Sequence, residues 1–279
     1  MTRKEQLVIV RGGGDIATGT IYKLMECGYP VLVLETERPS AIRRLAAFSE
    51  AAYEGVSQVE GHTCRLAAGY EEAKAILARG EAAMLTDPDC RVLEQVRPFA
   101  LVDAILAKRN LGTDRSMSGI TIALGPGFRA GEDVDVVIET MRGHDLGRVI
   151  HEGSALPDTG TPGLIMGCGR ERVIHAPANG ILQSCRRIGD LVEEGETLAW
   201  ILGENGTRTE VKATLTGLLR GILRDAYRVT KGFKMADIDP RKDEYQNCFT
   251  ISDKARCIAG GVLEGILCME RRNGAGDLS

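Results

Sequence analysis

The chain has 279 residues, of which 43% are hydrophobic and 27% are charged. This length can bury a sizeable core and form more than one domain, so we expect a globular protein. A net charge of −4 at pH 7 gives no general attraction to phosphate backbones or anionic membranes, which argues against nucleic acid and membrane partners. No stretch typical of a signal peptide precedes the first apolar segment, and this predicts a cytoplasmic protein.

Eight cysteines are scattered along the chain, without a C-x-x-C pair and without histidine spacing suited to zinc. Reduced thiols therefore fit this pattern better than a disulfide framework, and we predict no structural metal. Cys168 stands between two glycines and is followed by Arg170 and Arg172, which indicates an accessible, activated thiol. The alternative interpretation is a small residue at a domain junction.

The first hundred residues alternate strand patterns with helical patterns. Apolar runs predict strands over 7–11, 30–35, 82–86 and 99–104, and amphipathic stretches predict helices over 15–27, 40–55, 70–80 and 91–96. This order predicts a parallel sheet with helices on both faces. We therefore expect a Rossmann-like nucleotide-binding domain over residues 1–115.

A glycine-rich loop follows the first strand and opens the first helix. Its pattern, Gly12-x-Gly14-x-x-Ala17, suits a tight turn, close approach of a pyrophosphate and close packing of helix on sheet. Glu35 ends the second strand, where a carboxylate can accept a hydrogen bond from a ribose hydroxyl. Asp15 is expected to cap the helix or to interact with its dipole. The alternative is a glycine turn beside a solvated Glu35.

Further candidates follow two other strands, because ligands of open parallel sheets bind outside the carboxyl ends of the strands. These candidates are Asp87, Asp103 and Lys108, and Lys108 and Arg109 carry the charge to neutralise a phosphate or carboxylate. The alternative is a surface loop with a local Asp103–Lys108 ion pair. The complete set of predicted cofactor-binding residues is Gly12, Gly13, Gly14, Asp15, Ile16, Ala17, Glu35, Asp87, Asp103 and Lys108.

The rest of the chain is rich in strand patterns. Segments separated by Gly, Pro and Asp turns predict a β-rich middle region over 116–172. Residues 175–201 then align on 212–238 with a constant offset of 37 residues. This repeat predicts two interlocked copies of a small β-unit that close one barrel over 173–240. A C-terminal segment with a helix is expected over 241–279.

The repeat resembles the biotinyl/lipoyl-like family through A-P-x-x-G at 176–180 and G-D-L-V-E-E-G at 189–195. In that family the modified lysine stands in a hairpin between the two halves. Here the connection over 202–211 has no lysine at its tip, and Lys212 comes too late in the repeat register. The resemblance therefore implies the fold without biotin or lipoate. The complete expected fold class is α/β, with a Rossmann-like parallel sheet, a β-rich middle region and a biotinyl/lipoyl-like β-barrel.

Several motifs together resemble the YqeB family of selenium-dependent molybdenum hydroxylase system proteins. They are VRGGGDIATG at 10–19, DAILAKRNLGT at 103–113, IALGPGFRAGEDVDVVIET at 122–140 and MRGHDLGRVIHEGSALPDTGTPG at 141–163. The resemblance implies an accessory role in maturing a molybdenum hydroxylase, with its apoenzyme or other maturation factors as partners. The N-terminal part is more distantly similar to XdhC-type insertion proteins, although their N-terminal cysteine motif is absent.

These lines of reasoning lead to a hypothesis with two alternatives. The N-terminal domain is expected to hold a dinucleotide, either molybdopterin cytosine dinucleotide or NAD(P), and no catalytic triad is apparent. The alternatives are an NAD(P)-dependent oxidoreductase, because the same glycines and Glu35 would serve that cofactor equally well, and a non-catalytic scaffold. A homo-oligomer is compatible with each of them.

Overall fold

The computed structural model describes residues 2–275 of the chain. Within them the α-helices are α1 (Asp15–Glu26), α2 (Ala51–Glu54), α3 (Tyr70–Leu77) and α4 (Asp253–Ala275). The strands are β1 (Val8–Arg11), β2 (Val31–Glu35), β3 (Val56–Val59), β4 (His62–Leu66), β5 (Ala82–Thr86), β6 (Ala100–Asp103), β7 (Thr121–Leu124), β8 (Val136–Ile138), β9 (Val149–Ile150), β10 (Val173–His175), β11 (Gly180–Ser184), β12 (Leu191–Val192), β13 (Thr197–Leu202), β14 (Arg208–Lys212), β15 (Gly217–Ile222), β16 (Arg228–Val229) and β17 (Lys234–Asp239).

The chain forms two compact units. Unit 1 contains the residues up to Pro39, Ala47–Asp158 and the residues from Ile251 onward. Unit 2 contains Ser40–Ala46 and Thr159–Thr250. The four-part division of the chain at residues 115, 172 and 240 stays a prediction.

Unit 1 is built on a nine-stranded mixed sheet with the order β3-β4-β5-β2-β1-β6-β7-β8-β9. The strands from β4 to β8 in this order run parallel, and β3 and β9 pair antiparallel at the two edges. Six of the parallel strands follow a 3-2-1-4-5-6 arrangement in chain order, as in doubly wound nucleotide-binding sheets. The order in which successive strands are added to the sheet therefore reverses between β1 and β6. Sheets of this kind open a crevice at their carboxyl edge at that point.

Alternate residues of the central strands enter two different cores. Val8 and Val10 face the core that contains residues of α1 and α4, whereas Ile9 packs in the core that contains Ala73 and Ile76 of α3. Burial on both faces explains why these strands read as continuous apolar runs in the sequence. The helices α1 and α4 approach closely at Gly19. A Cβ at this position would lie only 2.8 Å from the Cβ of Ala255.

The predicted Rossmann-like parallel sheet is wrong for this part of the chain, because β3 and β9 pair antiparallel and make the sheet mixed. Two of the predicted helices are wrong as well. The segment 40–55, predicted as one helix, contains two 3-10 turns, Arg44–Ala46 and Phe48–Glu50, before the short α2, because Ala47 between them is extended (φ −137°, ψ 133°). The segment 91–96 contains only a 3-10 turn. Two strands of the predicted β-rich middle region, β7 and β8, pair in parallel with the first sheet and enlarge it.

Unit 2 consists of two four-stranded antiparallel sheets, with the orders β10-β17-β15-β12 and β14-β13-β11-β16. The strands reproduce the sequence repeat at its offset of 37 residues, because β11, β12 and β13 correspond to β15, β16 and β17. The two copies are interlocked: β12 pairs with β15 of the second copy, and β16 pairs with β11 of the first. The predicted closed barrel is wrong for the described residues, because the two-residue strands β12 and β16 end the hydrogen-bonded ladders and leave two separate sheets.

A buried ion pair in unit 2 joins the residue before β10 to a residue of β17. The Arg172 guanidinium donates to Asp237 Oδ1 at 3.2 Å and Oδ2 at 3.3 Å, and both side chains are buried. Burial raises the pKa of Asp237, and the charges of Arg172 and Lys234 oppose this rise.

The predicted C-terminal helix is present in unit 1 as α4, and residues 276–279 of the predicted segment lie outside the described residues. Among residues 2–275, no helix has the length and apolarity needed to cross a bilayer.

Candidate functional site

The glycine loop after β1 is held by backbone contacts on one side. Gly12 has a left-handed φ of +96°, and a Cβ there would lie 3.1 Å from the carbonyl oxygen of Ala104. A Cβ at Gly13 would lie 3.1 Å from the amide nitrogen of Ser49. These two positions require glycine because the loop packs directly against neighbouring backbone.

Gly14 faces open space. It is the N-cap of α1 with an extended backbone (φ −63°, ψ 178°), and a Cβ there would meet no described atom within 4 Å. Gly14 itself has no side chain to cap the amides of this helix end. The first turn of α1 therefore presents its positive dipole end beside an unobstructed backbone, the arrangement that binds phosphate in many proteins.

The other predicted residues of the first turn lie on different sides of the helix. Ala17 is fully buried in the core of unit 1, and Ile16 packs against the same core partly buried. Asp15 is the first residue of α1, in the position expected for a dipole partner. The structure therefore places the open surface of this turn at Gly14.

Thr18, which sequence analysis missed, fixes the loop from behind. Its hydroxyl donates to the carbonyl oxygen of Gly14 at 2.9 Å and accepts from the Phe48 amide at 2.9 Å. The Ser49 amide donates to the Gly13 carbonyl at 2.7 Å. The 3-10 turn after β2 thus supports the glycine loop, and the sequence gives no local signal of a contact across thirty residues.

Glu35 lies at the carboxyl end of β2, directly beside the glycine loop. Its Oε2 accepts from the Gly13 amide at 2.8 Å and its Oε1 accepts from the Thr36 amide at 2.7 Å. A carboxylate has about four lone-pair directions, so two further hydrogen bonds from a ligand can be accepted. The structure therefore brings Glu35 together with Gly12–Gly14, as the sequence predicts.

Asp87 performs a structural task at the next strand end. Its two oxygens accept from the amides of Arg91 at 2.9 Å and Val92 at 2.8 Å, which caps the 3-10 turn after β5. Its own amide donates to the carbonyl of Glu35 at 3.1 Å. Asp87 is therefore adjacent to the glycine loop and Glu35, with both carboxylate oxygens already bonded.

A cleft of about 850 Å³ opens at the carboxyl ends of β4 and β5. Its walls include Ala67, Tyr70, Thr86, Asp87 and Gln95. Burial raises the pKa of Tyr70. The cleft does not include the glycine loop. Asp87 in its wall, however, donates its amide to the carbonyl of Glu35. Its volume is in the range of small-molecule sites.

Asp103 is buried at the end of β6 and belongs to a polar cluster. Its carboxylate accepts from the Thr113 hydroxyl at 2.6 Å and from the Ile105 amide at 3.1 Å, and it lies 3.4 Å from the Arg11 guanidinium. Arg11 also donates to the carbonyl of Pro88 at 2.9 Å. Asp103 therefore shapes the loop after β6 from within. Sequence analysis missed Arg11, although a charged residue at the end of an apolar strand is a signal that could have revealed it.

Lys108 and Arg109 form the tip of this loop. The Lys108 ammonium pairs with Asp158, not with Asp103 as in the alternative interpretation from the sequence. Arg109 is exposed and has no hydrogen-bond or ion-pair partner among residues 2–275. The turn after β7 packs beneath it, because a Cβ at Gly127 would lie 2.5 Å from the Arg109 amide nitrogen.

Glu139 is a second buried carboxylate that the sequence did not reveal. It lies at the end of β8, where Oε1 accepts from the amides of Thr140 and Met141, both at 2.7 Å, and Oε2 accepts from the Leu156 amide at 2.8 Å. Glu139 thus joins two loops at the same edge of the sheet. No group of three or more metal-ligating side chains occurs in the described part of the chain.

Cys168 is half-buried, whereas Cys27 and Cys185 are exposed. Its thiol donates to the Met166 carbonyl at 3.9 Å. The Arg172 guanidinium, one of its predicted activators, is bonded to Asp237 instead. The Arg170 guanidinium, the other predicted activator, donates to the Thr161 hydroxyl at 3.4 Å, and the activated thiol at Cys168 stays a prediction.

No family model matches the chain. A curated relative, "Uncharacterized protein YqeB" of Escherichia coli (strain K12), is 50% identical over 264 residues, which are 95% of this chain and 48% of the relative. The chain thus spans about half the length of the curated relative that it matches.

Two solved structures resemble the chain only weakly, by TM-score and by sequence identity. The apo structure of the ectoine utilization protein EutE (DoeB) from Ruegeria pomeroyi has a TM-score of 0.27 and 11% identity, and covers 84% of this chain and 85% of that chain. A succinylglutamate desuccinylase/aspartoacylase from Rhodobacter sphaeroides has a TM-score of 0.26 and 16% identity, covering 84% of each chain. Similarity at this level supports no argument about activity here.

These comparisons correct the identification made from sequence motifs. The matched relative is uncharacterized, and the two solved structures are an ectoine utilization protein and a succinylglutamate desuccinylase/aspartoacylase, not XdhC-type proteins. The assignment to molybdenum hydroxylase maturation is therefore wrong, together with the selenium and biotinyl/lipoyl associations, whereas the predicted dinucleotide stays a prediction. The function has to be argued from the site alone.

Proposed function

We propose that unit 1 binds a nucleotide at the carboxyl edge of its sheet, with a phosphate group at Gly14 and the ribose at Glu35. The observation that carries the proposal is the contrast within the loop: Gly12 and Gly13 pack against backbone, while Gly14 opens to unobstructed space at the start of α1. At this position, after β1 and at the start of α1, the missing side chain leaves the backbone open to the close approach of a phosphate.

The neighbouring groups support the same ligand class. Glu35 keeps acceptor capacity beside Gly13, where it suits ribose hydroxyls. The cleft next to β5 adjoins Glu35 through the amide of Asp87, and its 850 Å³ suffices for a nucleobase. The strand order places all these groups on one side of the β1–β6 switch point.

Calorimetric titration with ADP, GDP, CDP, UDP and inorganic pyrophosphate tests the proposal. We expect at least one nucleoside diphosphate to bind, and Gly14→Val to weaken that binding at least about tenfold, because the branched side chain occupies the phosphate position. The variant should lose no more than about 1 kcal/mol of stability, because valine is a poorer N-cap residue than glycine but its side chain meets open space. Gly119→Val, at the opposite edge of the sheet, is the matched control and should bind normally.

A second variant tests the ribose contact separately. Glu35→Gln keeps an oxygen for the Gly13 amide and removes the charge, so it should weaken binding of the nucleoside diphosphate while leaving pyrophosphate binding unchanged or stronger. Absence of binding by every nucleoside diphosphate, or equal binding by the parent and Gly14→Val, would overturn the proposal.

A further inference from the structure

The loop after β6 is unusually well fixed for an exposed segment. Asp103 holds its beginning through the Ile105 amide, and the Asn110 carboxamide holds its end, accepting from the amides of Gly112 at 2.9 Å and Thr113 at 2.8 Å. The Thr113 hydroxyl then bonds back to Asp103 at 2.6 Å. Both ends of the loop are therefore anchored in one buried polar cluster.

The tip of the loop is fixed as well. Leu106 and Lys108 are non-glycine residues with left-handed φ values of 60° and 62°, a conformation that costs free energy and is concentrated at functional sites. The Arg109 backbone rests on Gly127, whose φ of +108° and lack of a side chain permit the contact. The fold thus fixes the backbone from which the exposed Arg109 side chain extends.

The two cations of the tip differ in their partners. Lys108 is neutralised by Asp158. Arg109 has no partner among residues 2–275, so one uncompensated guanidinium remains at the carboxyl edge of the sheet. The loop that carries it touches the glycine loop, since a Cβ at Gly12 would lie 3.2 Å from the Ile105 Cα.

We infer that Arg109 is a specificity-determining residue that binds a second anionic group of the ligand, beyond the phosphate at Gly14. A guanidinium suits a phosphate or a carboxylate because its planar donors match both geometries. The ligand class is therefore a nucleotide whose end remote from the nucleoside carries such an oxyanion. This inference rests on the proposed function.

Two matched probe pairs, titrated in EDTA to exclude metal-mediated binding, test the inference. Tripolyphosphate against pyrophosphate reports a terminal phosphate without any base, and UDP-glucuronate against UDP-glucose reports a carboxylate. In at least one pair the parent protein should prefer the probe with the additional oxyanion by about tenfold. Arg109→Gln should abolish this preference, and Arg109→Lys should restore part of it, because lysine keeps the charge but not the planar fork.

Arg97→Gln is the control, because Arg97 is also exposed but precedes β6, at the opposite edge of the sheet. It should keep the preference, which separates a specific contact from a general loss of charge. An Arg109-dependent preference in either pair supports the inference and identifies the oxyanion. Equal effects of the two glutamine variants, or no such preference in either pair, overturn it.

Gly14→Val separates this inference from the proposed function. If Gly14→Val weakens all binding while Arg109→Gln changes no preference, the glycine site stands and the inference fails. If Arg109→Gln abolishes the preference while Gly14→Val binds normally, the proposed function fails and Arg109 belongs to a different anion site.

Discussion

Single buried oxygen atoms position the loops at the carboxyl edge of unit 1. Thr18, Asp103 and Glu139 each accept hydrogen bonds from backbone amides in a segment other than their own strand or helix. An unsatisfied buried amide costs about 1–3 kcal/mol, so each acceptor makes one loop conformation much more stable than its alternatives. These side chains shape the site without being expected to touch the ligand.

Two buried threonines of α1 test this interpretation. Thr18→Val should lower the free energy of unfolding by about 1–3 kcal/mol, because the Phe48 amide loses its acceptor. Thr20 is equally buried, but its hydroxyl has no partner among the described residues, so Thr20→Val should be neutral or stabilising. Urea unfolding measures both variants, and equal destabilisation by the two would contradict the assigned role of Thr18.

The strands and helices differ in how far the sequence predicts them. The apolar runs at 30–35 and 82–86 lead directly to β2 and β5, because strands buried on both faces have no polar alternation to misread. The helical pattern at 40–55 fails because the extended Ala47 interrupts it and its two halves belong to different compact units. The local periodicity of the sequence reveals neither the extended Ala47 nor the boundary between the two units.

The residues of the candidate site also differ in how far the sequence predicts them. Glycine spacing and the acidic end of β2 predict Gly14 and Glu35, because both signals lie within one βαβ segment. The roles of Thr18 and Glu139 depend on partners that are distant in sequence, and no local pattern reveals them. The repeat offset predicts two interlocked copies of a β-unit, but the two-residue strands that end the ladders are too short to predict from the sequence.

The long helix α4 contains two adjacent glycines with opposite expected effects. A Cβ at Gly260 would meet nothing within 4 Å, so Gly260→Ala should stabilise the protein by about 0.5–1 kcal/mol through helix propensity. A Cβ at Gly261 would overlap the Gly147 carbonyl oxygen, so Gly261→Ala should destabilise it by about 1–3 kcal/mol. Thermal unfolding of both variants checks this. Effects of the same sign would mean that α4 does not pack on residue 147 as described.

Unit 1 is discontinuous along the chain. It begins at the N-terminal end, is interrupted by the segments of unit 2, and is completed by α4 more than ninety residues after Asp158. Ile251, Ala255, Ile258, Val262 and Ile266 all pack in the core that also contains Val8 and Val10. The proposed nucleotide site therefore depends on the last helix, although no residue of α4 is proposed to contact the ligand.

A chain ending at residue 250 tests this dependence. It would lose four large buried side chains worth about 1.5–3 kcal/mol each, which together approach the roughly 5–15 kcal/mol that stabilises a typical domain. We expect proteolysis to cleave readily within 47–158 while 159–250 stays protected, because the core of unit 2 contains no residue after 250. A synthetic 251–275 peptide should restore protection of 47–158 and, with it, nucleotide binding. Unchanged protection of 47–158 in the shortened chain would show that unit 1 is stable without α4.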